Sequence, residues 1–292
     1  MRYSILLTRV SPLSTIQDEG RFGCLQYGIS ASGAMDSNAF ELGAYLLGTK
    51  ASSGIEFTQS GLDFTIKGKT IRAAFTGGDF TLFINGQKKK WNRVYNLKQG
   101  AKIEIKPGAW GNYGYVRFNG ELGVKEILGS RATNIKVALG GLDGRALKVG
   151  DEIAVLPTSD MDISNPPTLN YEKKSFRFIW GIHADLFSQK VRNEFISKPF
   201  FISSQLDRMG VRLLDRNNIF TNENILSLVS DPLICGDIQI LGDGTPIVLM
   251  RDHQTIGGYP RIGTIISTDI NAFSQLRPNA EINFKPVILG NL

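Results

Sequence analysis

Short runs of alternating apolar and polar residues recur along the chain: Leu62, Phe64 and Ile66; Ala101, Ile103 and Ile105; Phe176, Phe178 and Trp180; Ile238 and Ile240; Ile282 and Phe284. A period of two sends every second side chain to one face, so each run predicts a strand with one buried face. Turn-forming residues separate them, as at Asn85-Gly86, Lys106-Pro107-Gly108, and Gly242-Asp243-Gly244 ahead of the apolar run 247–250. With 32 Gly in the chain, closely spaced turns predict an all-β barrel or sandwich.

Helical spacing is rarer. Asp36 is a candidate N-cap for a helix that aligns Phe40, Ala44 and Leu47 and stops at Gly48. A second helix opens near Asp185 and stacks Phe187, Val191 and Phe195. A third runs from Asp269 to the Pro278 stop. Its Asp269, Asn271, Ala272 and Phe273 echo Asp36, Asn38, Ala39 and Phe40; an old duplication and two independently capped helices both account for that. The stretch 157–170, with Pro157, Pro166 and Pro167, has no period, and tandem prolines cannot extend a sheet ladder. It is the expected boundary between two mostly β domains, 1–160 and 161–292.

A length of 292 residues, a hydrophobic share of 42% and a formal net charge of +6 describe a packed chain rather than a disordered one. The densest basic cluster, Lys88-Lys89-Lys90, follows Asn85-Gly86 and reads as a solvated hairpin end, so no nucleic-acid partner is expected. Cys24 and Cys235 stand alone, which argues against a disulfide framework or a Cys-rich zinc site and for reduced thiols. The apolar run 5–7 closes at Arg9, too short for a secretion signal, and no stretch nears the roughly 20 apolar residues of a membrane span. A cytoplasmic protein with no membrane partner is the expectation.

Several familiar chemistries fail on inspection. Gly68-Lys69-Thr70 looks like the end of a phosphate-binding loop, but Asp63 stands where its first glycine belongs, so a turn is expected. His183 and His253 form no His-x-x-x-His pair, and no metal site is expected. No Gly-x-Ser-x-Gly elbow is present, although a triad assembled from distant positions stays open.

Polar residues inside three glycine-rich segments remain. The first spans 15–36, where an Arg21–Asp18 pair would hold a loop and Asp36 would cap its helix. The second holds Arg131 and Arg145 among Gly129, Gly140, Gly141 and Gly144; a bidentate grip on a carboxylate or phosphate and plain structural turns are both open. The third joins Asp207, Arg208 and Gly210 to Gln239 and to the run Asp252-His253-Gln254-Thr255-Ile256-Gly257-Gly258-Tyr259-Pro260 after a buried strand. Polar groups at a strand end, backed by a double-glycine turn, suit a fixed site for an amide or carboxyl substrate. Asp252 is a candidate base or holder of a donor, with Gln254 and Tyr259 as oriented hydrogen-bonding groups.

These three segments, in this order from about Thr15 to Phe284, resemble the carboxyltransferase-related family that includes allophanate hydrolase subunit 2 type proteins, Kip A proteins and the C-subunit of ATP-dependent 5-oxoprolinase. The resemblance is most specific at 207–213 and 254–260. Asn119, Ala132, Asp215 and Ile256 depart from the family's usual Gly, Ser, Gly and Thr, and none of these departures touches Asp252, Gln254 or Tyr259.

The resemblance implies a mainly β fold of two cyclophilin-like β-barrel domains with a few short helices. It also implies a Kip I type B-subunit and a lactam-handling A-subunit as partners. The leading activity it implies is opening of 5-oxo-L-proline to L-glutamate with ATP, whose site lies on the complex rather than visibly in this chain. Asp252, Gln254 and Tyr259 would then orient the small amide substrate, with Gln239 and Arg208 in support, Arg131 as a further substrate-binding candidate, and Glu56 contributing across the domain cleft. The alternatives are the carboxyltransferase component of a biotin-dependent urea or amide carboxylase, and a non-catalytic Kip A type antagonist of a kinase inhibitor. Biotin would have to arrive on another protein, since Met35 is followed by Asp36 and no Ala-Met-Lys-Met hairpin exists.

Overall fold

A computed structural model describes residues 3–160, 165–221 and 228–288. Backbone contacts group the chain into two units, Met1–Phe22 with Ser32–Leu169 and Gly23–Ala31 with Asn170–Leu292. The short stretch Gly23–Ala31 thus belongs with the second unit. Among the described residues no helix is long and apolar enough to cross a membrane.

In chain order the first unit contains β1 (Tyr3–Val10), β2 (Thr15–Gln17), α1 (Ser37–Leu47), β3 (Gly54–Thr58), β4 (Leu62–Gly68), β5 (Ile71–Gly77) and β6 (Phe80–Ile84). It continues with β7 (Gln87–Lys89), β8 (Arg93–Leu97), β9 (Lys102–Pro107), β10 (Tyr113–Phe118), β11 (Gly120–Leu122) and β12 (Glu152–Pro157). One sheet runs β11-β12-β1-β4-β9-β6-β7 and the other β2-β3-β10-β5-β8. Ile5, Phe64 and Ile103 from the first and Ile55, Phe75 and Phe118 from the second bury one shared core. In β4 the expected alternation holds, with Leu62, Phe64 and Ile66 buried and Asp63, Thr65 and Lys67 turned outward. All six residues of β10 are buried, because α1 packs over β5 and β10 on the face away from that core. The Asn85-Gly86 pair makes the β6–β7 hairpin with φ of 51° and 77°, the left-handed values such a turn requires.

In the second unit β13 (Ser175–Trp180), α2 (Gln189–Ser197), β14 (Phe200–Leu206), β15 (Gly210–Leu214), β16 (Asp231–Pro232) and β17 (Asp237–Ile240) come first. Then follow β18 (Pro246–Leu249), β19 (Ile256–Gly257), β20 (Arg261–Ile265), α3 (Ser267–Ser274) and β21 (Glu281–Pro286). Seven strands close a barrel in the order β13-β20-β17-β18-β15-β14-β21, sealed by parallel pairing of β13 with β21, while β16 and β19 pair beside it. Aromatic packing fills this unit: Phe195 of α2 stacks on Phe284 at 4.8 Å and meets the edge of Phe178 at 5.3 Å. The protein is therefore mainly β with short helices, a closed barrel in one unit and two facing sheets around a core in the other.

The helix ends separate local from distant causes. Asp36 caps α1 as expected, accepting from Ala39 N at 3.0 Å, and Gly48 ends it at φ 61°. The second helix starts later than its apolar spacing predicts. A 3-10 turn at Ala184–Leu186 and an extended Phe187 precede α2, and Ser188 is the cap, accepting from Val191 N at 3.3 Å.

The third begins before Asp269, at Ser267, and Asp269 does not cap it. Its carboxylate is buried and accepts from Arg177 Nη2 at 2.7 Å and Lys173 Nζ at 2.6 Å. Burial pushes this carboxyl up, but the hydrogen bonds from Arg177 and Lys173 overcome that and hold it below its ordinary value. The echo between Asp36 and Asp269 is thus one of sequence and not of role.

Candidate functional site

Strand β17 has two faces of different chemistry. Ile238 and Ile240 point one way into apolar packing, and Asp237 and Gln239 point the other, yet all four are buried. The segments around β16 and β19 lie over the polar face. Arg261 Nη1 donates to Asp237 at 3.2 Å while its Nη2 reaches Asp231, and Asp237 also accepts from Thr264 Oγ1 at 2.6 Å and Ile234 N at 2.9 Å. A buried carboxylate held by three donors is fixed in place. A Cβ at Gly257 would stand 3.1 Å from Gln239 Nε2 and 2.8 Å from Leu233 Cδ1, so this close approach of backbone to side chain needs glycine.

Gln239 links the predicted residues. Its Nε2 donates to the Tyr259 carbonyl at 3.2 Å, and its Oε1 accepts from Gln254 Nε2 at 3.2 Å. Gln254 is exposed, so the buried Gln239 holds a carboxamide at the surface from beneath. Tyr259 is 41% exposed, and its hydroxyl has no hydrogen-bond partner among the described residues. His253 Nδ1 lies 2.6 Å from the Gln254 carbonyl oxygen, a contact that places the ring proton on Nδ1.

Arg208 and Asp252 form a separate pair. Nε donates to Oδ2 at 2.8 Å and Nη2 to Oδ1 at 3.0 Å, with the side chains only 4% and 5% exposed. The backbone repeats the link, Asp252 N donating to Arg208 O at 2.7 Å and Met250 N to Met209 O at 2.9 Å. Asp207 in turn accepts from Met209 N at 2.7 Å and Gly210 N at 3.1 Å, tightening the turn into β15. Asp252 therefore holds a donor, and both its oxygens are engaged; taking a substrate proton would first break a buried ion pair. The Asp252, Gln254 and Tyr259 side chains make no hydrogen bond to one another; the carboxylate turns to Arg208 and the carboxamide to Gln239.

The remaining candidates lie in the first unit. Glu56 is fully buried and accepts from Met35 N at 2.8 Å and Tyr115 Oη at 2.9 Å, while Tyr115 Oη accepts from Asp36 N at 2.8 Å. Burial, then the Glu56 and Asp36 charges, push the Tyr115 phenol well above its ordinary value, so it stays protonated and holds the entry to α1. Arg131 pairs with Glu126 at 2.9 Å and its backbone N donates to Asp18. Arg145 forks onto Asp151 with two bonds of 2.9 Å. Of the two open readings for this segment, the structural turn is what the bonds describe. Asp18 accepts from Gly20 N and Ser130 Oγ, and Arg21 donates to the carbonyls of Ile127 and Ala132.

Sequence reading passed over Asp237 and Arg261. The signal for the first was an acid in register with Gln239 on a strand whose other face is isoleucine. Cys235 lies within electrostatic reach of Arg251, Asp237, Arg208 and Asp252, and burial pushes its thiol up, which makes it an inert neighbour rather than a nucleophile. A cavity of about 540 Å3 also opens on the second unit, lined by Arg212, Asp215, Asp243 and Asn279 among others; none of the candidate substrate-handling residues lines it.

A mainly β protein of two units, with a carboxamide and a phenol presented beside strand ends, is the class these observations define. Residues 27–286 match the family described as carboxyltransferase domain, subdomain A and B, and the chain belongs to that family. The 5-oxoprolinase C-subunit of Escherichia coli (strain K12) is 32% identical over 287 residues, which cover 95% of this chain and 89% of that protein. The 5-oxoprolinase C-subunit of Haemophilus influenzae is 29% identical over 297 residues, 96% of this chain and 90% of that protein. The urea amidolyase of Lachancea kluyveri is 26% identical over 314 residues, but only 17% of its length is covered. Among solved structures, the K. lactis urea amidolyase superposes with a TM-score of 0.88 at 24% identity over 98% of this chain. This chain spans 19% of that amidolyase, and the likeness carries the fold alone.

Proposed function

We propose that this chain serves as the C-subunit of an ATP-dependent 5-oxoprolinase assembly, helping to convert 5-oxo-L-proline to L-glutamate. The observation that carries this reading is coverage: the match runs through 89% and 90% of two proteins named as the C-subunit of 5-oxoprolinase, against 17% of the urea amidolyase. A Kip I type B-subunit and a lactam-handling A-subunit are the proposed partners.

The site's chemistry suits a lactam. A five-membered lactam is a cis amide, with its N–H and C=O on the same side, and a primary carboxamide offers the complementary acceptor and donor. Gln254 has Oε1 and one N–H left after donating to Gln239, and the exposed Tyr259 hydroxyl supplies a further donor or acceptor. Arg208 and Asp252 hold the turn that carries Gln254; on this reading they are positioning residues. Amide resonance makes attack by water slow, and phosphorylation of the lactam oxygen would supply an electrophilic carbon and a better leaving group. Gly68-Lys69-Thr70 joins β4 directly to β5 with no helix after it, so it does not fit a strand–loop–helix phosphate cradle. On this reading nucleotide binding belongs to, or is shared with, the partner subunits.

The family match and the amidolyase-like fold favour one second reading, carboxyl transfer to an amide from biotin carried on another protein. Mixing this chain with the A- and B-subunits, 5-oxoproline and ATP, and following glutamate, separates the two. Glutamate that fails to form, or forms equally without this chain, removes the first reading, and biotin-dependent carboxylation of urea establishes the second. Under the first, Gln254→Ala should lower turnover by about tenfold or more, the loss of one or two substrate hydrogen bonds, with the assembly intact by size-exclusion chromatography.

A further inference from the structure

Arg117 of β10 is a buried cation that no carboxylate among the described residues touches. Its aliphatic stem passes between two glycines: a Cβ at Gly43 of α1 would lie 3.1 Å from its Cδ, and one at Gly54 of β3 would lie 2.9 Å from its Cγ. The guanidinium stacks on the Phe40 ring at 4.1 Å, and the residue is 4% exposed. A guanidinium carries five N–H donors. Here the Phe40 carbonyl accepts one at 3.4 Å and the Ala51 carbonyl another, while Nε has no partner. Among the described residues no ion pair forms at Arg117. Leaving a buried, charged donor so incompletely satisfied is costly, and proteins ordinarily supply a partner.

The place for that partner is visible. Arg117 lines a cavity of about 270 Å3 whose walls include Phe40, Tyr45 and Ala51 and whose exposed rim carries Glu19, Glu41 and Lys50. This is small against typical ligand pockets of roughly 300–1,000 Å3, so it excludes nucleotides and other large cofactors. Burial lowers the Arg117 pKa to about 10, and Glu121, Glu19, Glu41 and Asp18 act against that, so the group stays charged at neutral pH. Those acids reach Arg117 through space, without contact. A simple anion would gain the guanidinium but meet the acids; a molecule positive at its other end would satisfy both.

We propose that this cavity binds the backbone of a small α-amino acid, its carboxylate on Arg117 and its ammonium facing Glu19 at the rim. The lining of this cavity includes neither Gln254 nor Tyr259, and the proposal does not depend on which reaction the assembly performs. It distinguishes an amino acid from a lactam acid, because ring closure turns the ammonium into a neutral amide N–H while leaving the carboxylate.

The test is calorimetric titration of the full chain with L-alanine and L-serine, with acetate and N-acetylglycine as carboxylates that lack the ammonium. Saturable binding of at least one amino acid, about tenfold or more tighter than either control, is expected. Glu19→Gln, at an exposed position, should weaken amino-acid binding by about tenfold without weakening acetate, and Arg117→Met should abolish amino-acid binding. Absence of amino-acid binding in the tens of millimolar, controls that bind as well as the amino acids, or an unchanged affinity in Glu19→Gln would each overturn the proposal. If Arg117→Met does not fold, the Glu19→Gln comparison alone decides.

Discussion

The Arg208–Asp252 pair gives a prediction that separates a structural from a chemical carboxylate. Both side chains are buried, joined by bonds of 2.8 and 3.0 Å, and tied again by the 2.7 Å backbone bond from Asp252 N to Arg208 O. Asp252→Ala strands a buried guanidinium, a loss of about 3–5 kcal/mol. With an m-value of about 1–3 kcal/mol per molar urea, the second unit's midpoint should fall by roughly 1 M or more. Replacing both partners by Met and Leu removes the charges together and should recover most of that loss, since apolar replacement of a buried pair is often neutral or better.

The chain supplies its own reporter. Its three tryptophans are Trp91, Trp110 and Trp180, and Trp180 alone lies in the second unit, against Phe178 at 4.9 Å. Trp91→Phe with Trp110→Phe leaves a fluorescence signal for that unit's unfolding in urea. Turnover in the reconstituted assembly is then measured below the transition, where the variants are folded. A positioning role predicts lost stability in Asp252→Ala and appreciable turnover in Asp252→Asn, which keeps the shape. The reasoning is refuted if Asp252→Ala unfolds at the wild-type midpoint and yet has no activity, for then the carboxylate acts on substrate and the ion pair is incidental.

Phe195→Ala removes a ring that stacks on Phe284 and meets Phe178, and should cost about 3–5 kcal/mol by the same fluorescence assay; a loss under about 1 kcal/mol would mean the cluster repacks. For Asp269, whose folded pKa lies below the ordinary value, the ionised form is favoured in the fold. Its contribution is present above the unfolded value of about 3.9 and is lost as pH falls through the folded pKa. The stability gap between wild type and Asp269→Asn should therefore shrink between about pH 5 and the acid limit, and a gap that widens there contradicts the assignment. Gly140 has φ 70° and would place a Cβ 2.0 Å from the Ala132 carbonyl oxygen, so Gly140→Ala should destabilise the first unit by about 1–3 kcal/mol; an unchanged melting temperature would show that the loop shifts freely.

What the sequence disclosed follows the range of the forces involved. In β4 and β9 one face meets the core and the other meets solvent or the sheet edge, so alternation is visible in the residues themselves. In β10 both faces are covered and the pattern that marks a half-buried strand disappears, while in β17 the alternation of Ile238 and Ile240 is visible but predicts a solvated face where Asp237 and Gln239 are buried; Arg117 and Asp237 were overlooked for those reasons. Asp36 was legible as a cap because its partner, Ala39 N, is three residues away. Asp269 has the same look in the chain, but its partner Arg177 is 92 residues distant, and no local rule reveals a charge that arrives from another strand.

The candidate site shows the same division. Gln239, Gln254, Tyr259, Arg208 and Asp252 could be gathered from strand ends and glycine turns, but their pairing could not, since it depends on which way each side chain leaves its strand. A lone Asp at the end of a buried strand suggests a base; the same Asp with a guanidinium forked across both oxygens is a brace. Arg117 inverts the case. In the chain it is one arginine in an otherwise apolar strand, where an outward, solvated side chain is the default, and only the glycines at 43 and 54 and the helix above them turn it into a buried donor facing a cavity.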